Sequence, residues 1–246
     1  MIPKLFRMAQ YNRDWARYLL HKYVPGRPDE LLTFRLRSGK SVTLKAETRF
    51  ILNEIFLDRV YDVPGVNLAD CKSILDIGAN MGVFALYAAD RAPRADIHCF
   101  EPSSKNSAIL QKNIFDNKVR AKLYLLAVAP TCGTGYLSLT GTAQEYSLGA
   151  IGPSTEQVEC VDLRKVFELT AVENFDFVKI DIEGAERDII NQCPDVLLSR
   201  IRALSLEWHH SWEELGALVE RFRKMGFGAE RTNHDRVHYL KARKPA

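Results

Sequence analysis

At 246 residues, with 46% hydrophobic and 26% charged content, the chain can bury one sizeable α/β core, and its net charge of +3 is too small and scattered to demand a nucleic-acid partner. No apolar run is long enough to span a bilayer, and the N-terminus lacks an apolar core with a small-residue cleavage site, so neither an embedded nor a conventionally exported protein is expected. Five widely separated cysteines, Cys71, Cys99, Cys132, Cys160 and Cys193, read as reduced thiols of a cytoplasmic protein.

From Pro3 to Tyr23, Met8, Tyr11, Trp15, Tyr18 and Leu19 fall near one helical face among basic residues, which predicts a basic amphipathic helix acting as an arm over the sheet. Pro25-Gly26-Arg27-Pro28 is a linker, and Leu32 to Leu44 alternates as a hairpin turning at Ser38-Gly39-Lys40. Glu47 to Tyr61 has the spacing of a half-buried helix. Residues 1–70 are thus expected as a helical arm and β flap, and residues 71–246 as the domain that carries the chemistry.

Ser73 to Gly82, Ser-Ile-Leu-Asp-Ile-Gly-Ala-Asn-Met-Gly, reads as a buried strand running into a glycine-rich turn, with a helix from Val83. The residue five after Gly78 is Val83, so the turn departs from the Gly-x-Gly-x-x-Gly spacing that seats a dinucleotide pyrophosphate. It resembles the Gly-x-(Gly or Asn)-x-Gly turn of S-adenosylmethionine-dependent methyltransferases, and Gly78, Ala79, Asn80 and Gly82 become candidate cofactor-binding residues. Asp96 to Glu101 is a second strand ending in a carboxylate, with Pro102 and Ser103 opening a helix behind it. Glu101 falls about 20 residues after the turn, where a carboxylate can accept both ribose hydroxyls. The plainer role for it is to balance the following helix dipole.

Ala121 to Val128 is a third strand, with Ala127 small enough to let adenine lie against backbone. Thr134 to Leu139 and Gln157 to Val161 read as two extra strands joined by a Gly, Thr and Ser-rich loop over Gly141 to Ser154, a candidate substrate wall. Asp162 caps the helix that starts at Leu163. Phe175 to Glu186, Phe-Asp-Phe-Val-Lys-Ile-Asp-Ile-Glu-Gly-Ala-Glu, is a fourth strand with Asp181, Glu183 and Glu186 crowded at its tip. Like charges gather there to hold a cation or move a proton, or to complement the next helix dipole. Arg202 to Trp208 is the fifth strand and brings Glu207, His209 and His210 to the same edge, with a Ser211/Glu214 capping box after it. His209 suits proton transfer near neutral pH. Asp181, Glu207 and His209 are also metal-ligand types, but their spacing demands no metal and none is assigned. Gly226 to Lys241 closes the sheet as a hairpin.

With Leu-Asp-Ile-Gly-Ala-Asn-Met-Gly, Phe-Glu-Pro and Lys-Ile-Asp-Ile-Glu-Gly-Ala-Glu in this order, the chain resembles the FkbM family of S-adenosylmethionine-dependent methyltransferases over about residues 47–243. The resemblance implies a Rossmann-like class I fold, a mostly parallel seven-stranded sheet with a C-terminal antiparallel hairpin. It also implies O-methylation of a small-molecule hydroxyl on a sugar, polyketide or related metabolite. It carries cofactor roles to Asp76, Gly78, Asn80, Gly82 and Glu101, and site roles to Asp181, Glu183 and Glu186. Glu207-Trp208-His209 matches the family's Glu-x-His, whereas the long basic N-terminal helix, the second histidine, His210, and Trp208 and Trp212 beside it depart from its pattern. The candidate catalytic set is therefore Asp181, Glu183 and His209, with Asp181 also counted toward the cofactor. Two other classes stand beside this one: nucleic-acid methylation, disfavoured by the acidic Asp-Ile-Glu-Gly tip, and a non-catalytic cofactor-binding protein.

Overall fold

Ile74, Leu75 and Ile77 are all buried, so the strand they share, β3 (Ser73–Ile77), lies in the middle of a sheet with both faces covered. The structure, a computed structural model, describes residues 2–24, 26–139, 147–149, 154–235 and 237–245. Before β3 come α1 (Ile2–Tyr11), α2 (Trp15–Tyr23), the hairpin β1 (Leu31–Arg35) and β2 (Ser41–Lys45), and α3 (Ile51–Asn53). After it the chain alternates: α4 (Val83–Arg91), β4 (Asp96–Phe100), α5 (Ser104–Asp116) and β5 (Ala121–Tyr124). Then come β6 (Ala127–Val128), β7 (Gly133–Ser138), β8 (Ser147–Leu148), β9 (Thr155–Val161) and α6 (Leu163–Thr170). The last part holds β10 (Phe177–Ile180), α7 (Glu186–Gln192), α8 (Asp195–Leu198), β11 (Ala203–Trp208), α9 (Trp212–Lys224), β12 (Gly228–His234) and β13 (Val237–Arg243).

The main sheet has the order β12-β13-β11-β10-β3-β4-β5. Its pairs are parallel except where β13 meets β11 and β12 antiparallel, which is the sheet and closing hairpin expected from the sequence. Strand order reverses between β3 and β10, the point at which an open α/β sheet leaves a crevice beyond its strand tips. Residues alternate between two cores: Ile74 faces α4, α5 and the N-terminal elements, while Leu75 and Ile77 face α6, α7 and α9. A second sheet, β6-β9-β7-β8, stands beside the crevice.

Three sequence expectations change. The N-terminal helix is two, because Asn12 bridges to Leu36 and Asp14 clasps Arg35 through its backbone N (2.7 Å) and guanidinium (2.6 Å), tying the chain to the hairpin between α1 and α2. The helix expected over 47–61 is reduced to short pieces: a 3₁₀ turn at Ala46–Thr48, α3, and a wide π-helical turn at Glu54–Asp58 that ends in left-handed Arg59 (φ +54°). Ile55, Phe56 and Leu57 are all buried, and three consecutive residues cannot share one face of a regular helix. The third strand is also two, since the chain leaves the main sheet at exposed Leu125 and β6 pairs with β9 instead. Most of the proposed substrate-wall loop lies outside the described residues; Ser147 and Leu148 of it form β8 against β7. All five cysteines are free thiols, and among the described residues no helix is long and apolar enough to cross a membrane.

Candidate active site

The turn after β3 is built from left-handed backbone at Gly78 (φ +75°), Asn80 (φ +50°) and Gly82 (φ +82°). Neighbouring chain also enforces both glycines: a Cβ on Gly78 would lie 1.7 Å from the Asp181 carbonyl oxygen, and one on Gly82 would lie 2.4 Å from Leu110 Cδ1. The turn is anchored to β4 because the Gly78 and Ala79 N–H groups both donate to the Phe100 carbonyl at 3.0 Å.

Glu101, at the tip of β4, is only 5% exposed. Its Oε2 accepts the Asn80 N–H at 2.8 Å and its Oε1 the Ser103 N–H at 2.9 Å. Burial pushes its carboxyl up to about 7 against the pull of those two N–H groups. A cavity opens over these residues. Gly78, Asn80, Glu101, Pro102, Asp181 and Glu183 are among its lining residues, and Ala127, Phe100, Val128, Leu137, Leu148 and Ile182 supply its apolar part. A buried carboxylate in a partly apolar cavity fits a nucleoside, whose ribose donates hydroxyls and whose base is flat and apolar-faced.

Four residues expected at the cofactor stand behind this surface. Asp76 is fully buried, and its Oδ1 pairs with Lys179 Nζ at 3.3 Å. Ser103 is buried as the cap of α5, its Oγ accepting the Asn106 N–H. Ala79 and Gly82 shape the turn without reaching the cavity wall.

The acidic tip of β10 is held from several sides. Lys179, 3% exposed, donates to the Gly78 carbonyl at 2.7 Å and lies 3.5 Å from Asp181 Oδ2. Burial works against its charge, but Asp76, Asp181 and Glu207 together raise its pKa. Glu183 occupies left-handed backbone (φ +56°), a strain that the following turn must hold. Glu186 holds it: with no exposure, it accepts N–H bonds from Ile182 (3.2 Å) and Gly184 (3.0 Å). Its Oε1 also meets His209 Nδ1 at 2.9 Å. Glu186 thus serves as both helix-start carboxylate and site scaffold.

His209 is enclosed by carboxylates, its Nε2 lying 3.3 Å from Glu183 and 3.5 Å from Glu207. Burial pulls its pKa down, but the hydrogen bonds to Glu186 and Glu207 and the charges of Glu186 and Asp181 carry it up to about 11. The ring expected as a base is therefore an imidazolium with both nitrogens engaged. Glu183, like Glu101, is poised near neutral pH, pushed up to about 8 by burial and by Asp181 and pulled back by His209. His210 bonds the Gly184 carbonyl at 2.9 Å and packs on Trp208, a structural role.

Asp181, Glu207 and His209 bring one ligand-type atom each within 4.8 Å of one another. Tyr61 lies between the two carboxylates, its hydroxyl 2.8 Å from each. Sequence reasoning gave no role to Tyr61 or Lys179. Lys179 had a signal: a lysine inside an apolar parallel strand needs a buried partner, and its cross-strand neighbour on β3 is Asp76.

A family model described as the methyltransferase FkbM domain matches residues 76–229. The 31-O-demethyl-FK506 methyltransferase FkbM of Streptomyces tacrolimicus is 29% identical over 233 residues, 81% of this chain and 90% of the relative. The methyltransferase sdnD of Sordaria araneosa is 27% identical over 206 residues, 70% of this chain and 78% of the relative. The AMB antimetabolite synthetase AmbE of Pseudomonas aeruginosa is 27% identical over 226 residues, which are 74% of this chain and 11% of the synthetase. Among solved structures, the METTL16 methyltransferase domain superposes with a TM-score of 0.51 at 14% identity, covering 85% of this chain and 90% of that one, a likeness of fold. The glycine turn, the carboxylate tip and the matched span, which is more than half of the sequence, together show that the chain belongs to the FkbM methyltransferase family.

Proposed function

We propose that the protein is an S-adenosylmethionine-dependent O-methyltransferase that modifies a hydroxyl of a sugar, polyketide or related small molecule. The observation that carries this reading is that Glu101 and Glu183 line one cavity, so a hydroxyl-binding carboxylate and a titratable carboxylate face the same space. S-adenosylmethionine, when bound, supplies an electrophilic methyl group. Glu101 would hold it by accepting hydroxyl donors, the Gly78–Asn80 turn and Pro102 would border it, and Ala127 and the apolar wall would take its base. Asp181 at the strand tip orients the incoming groups. Glu183 accepts the proton of the acceptor hydroxyl at a carboxylate oxygen, and the neighbouring imidazolium of His209 stabilises the charge balance of the pair. Support for the acceptor class comes from the Streptomyces relative, whose name makes it a methyltransferase of an O-demethyl compound. The crowding of Asp181, Glu183, Glu186 and Glu207 opposes a phosphate backbone, which sets nucleic acid aside as acceptor.

Calorimetry with S-adenosylmethionine tests the reading. The ionised form of Glu101 accepts hydroxyl donors, so affinity rises as pH climbs through about 7. Glu101→Gln weakens binding by about tenfold and flattens that rise. Absence of uptake by the wild-type protein at pH 8 would refute the cofactor assignment.

A further inference from the structure

Tyr61 precedes the 76–229 span of the family match and comes from the segment before the first core strand, yet its hydroxyl reaches the centre of the acidic tip. Its ring is fixed edge-on against Phe84 and Tyr239, with centroids 5.6 and 6.1 Å away. The ammonium groups of Lys179 and Lys241 stand 5.2 and 5.7 Å from the ring centroid. Such a ring cannot move without moving the core, but its hydroxyl hydrogen can rotate.

That hydroxyl lies 2.8 Å from Asp181 Oδ2 and 2.8 Å from Glu207 Oε2. A phenol has one proton to donate, so at any moment it satisfies one carboxylate while the other faces an oxygen lone pair. Burial, followed by the charges of Asp181 and Glu207, drives the phenol pKa well above its ordinary value, so the proton stays on Tyr61. The two acceptors differ in place. Asp181 lines the cavity, whereas Glu207 is buried behind it beside His209.

We propose that Tyr61 is a positioning residue whose single hydroxyl hydrogen bond is shared between Asp181 and Glu207 in the resting site and turns wholly to Glu207 when a ligand group donates to Asp181. What arrives at Asp181 rests on the methyl-transfer reading above; the shared hydrogen bond does not. The groups that face this point are Asp181 and Lys179 from β10 and its tip, Glu207 from β11, His209 just after it, and Tyr239 and Lys241 from β13. Glu54 approaches from the wide turn, its carboxyl raised to about 7 by burial and by Glu207 and Asp181. An unliganded Asp181 is thereby tied to Glu207 through one hydroxyl rather than facing it directly. The N-terminal segment consequently contributes directly to the site.

Tyr61→Phe keeps the packed ring and removes the proton. Asp181 and Glu207 then lose their shared donor, so proton uptake between them becomes more favourable in the folded state, against the pull of Lys179 on Asp181 and of His209 on Glu207. A carboxyl raised on folding adds stability at low pH that is lost as pH rises through its folded value, so the variant's deficit widens with pH. In urea unfolding, the ratio of wild-type to variant folding constants is expected to grow by about tenfold or more between pH 5 and pH 8. An equal ratio at both pH values overturns the proposal. If Tyr61→Phe does not fold at pH 8, adding Glu207→Gln removes the like-charge pair and restores folding; failure to restore it overturns the proposal. In calorimetry with S-adenosylmethionine the variant binds about tenfold more weakly, and an unchanged affinity overturns the ligand half of the assignment. No binding even by the wild type removes the cofactor reading, while the unfolding series still decides the shared hydrogen bond.

Discussion

Replacing Lys179 by Met tests the electrostatic frame of the site. The Nζ lies 3.3 Å from Asp76 Oδ1 and 3.5 Å from Asp181 Oδ2. At an effective dielectric of about 20, each contact represents a gross attraction of about 5 kcal/mol, most of it spent on removing the charges from water. Lys179→Met keeps most of the length of the side chain but leaves Asp76, with no exposure, without its lysine partner. Breaking a buried pair in this way costs about 3–5 kcal/mol. Burial already raises the Asp76 carboxyl while Lys179 lowers it, so losing the lysine raises it further and the folded variant takes up a proton. A carboxyl raised on folding stabilises below its unfolded value and loses that contribution as pH rises through its folded one. The deficit should therefore shrink on acidification, by up to about 1.4 kcal/mol per pH unit within that window. Urea unfolding at pH 5 and pH 8 measures both effects, and Asp76→Asn in the Lys179→Met background should recover much of the loss. A deficit under about 1 kcal/mol, or one independent of pH, would refute the reasoning.

Two other outcomes follow from the geometry. Glu183→Gln should lower labelled methyl transfer to a hydroxyl acceptor by about a hundredfold with donor affinity unchanged. In the wild type the rate should climb as pH rises through about 8, because the carboxylate is the proton-accepting form; a rate that falls over that range removes Glu183 from the role. Gly78→Ala would set a Cβ 1.7 Å from the Asp181 carbonyl at a φ of +75°, so the variant should lose more than about 3 kcal/mol in urea unfolding, and a soluble variant of wild-type stability would contradict the close approach of the two strand tips.

The central strands were legible because Ile74, Ile97, Val178 and Leu204 sit in short apolar runs that only a doubly covered sheet accommodates. Caps were equally direct: Asp162 accepts the Lys165 N–H at 2.8 Å, and Ser211 with Glu214 forms the full reciprocal box. Local patterns failed where distant packing decides. The apolar spacing at 51–57 suits a helix, but burying Ile55, Phe56 and Leu57 together requires a wider turn. Glu101 and Glu183 could be placed at strand tips from spacing alone. Tyr61 could not, because it meets Asp181 across 120 residues of chain and Glu207 across 146, with no local feature to mark either contact. The charge state of His209 was hidden for the same reason: it depends on Glu183, Glu186 and Glu207 arriving together from a turn, a helix start and a strand.

The contact between Gly78 and the Asp181 backbone leaves no slack between the two halves of the cleft floor. Neither tip can tilt without dragging its neighbour, so the floor behaves as a single rigid plate. Diversification toward new acceptors is then confined to the surrounding rim, above all the β7–β8 side, where Leu137 and Leu148 meet the cavity without bearing on that plate.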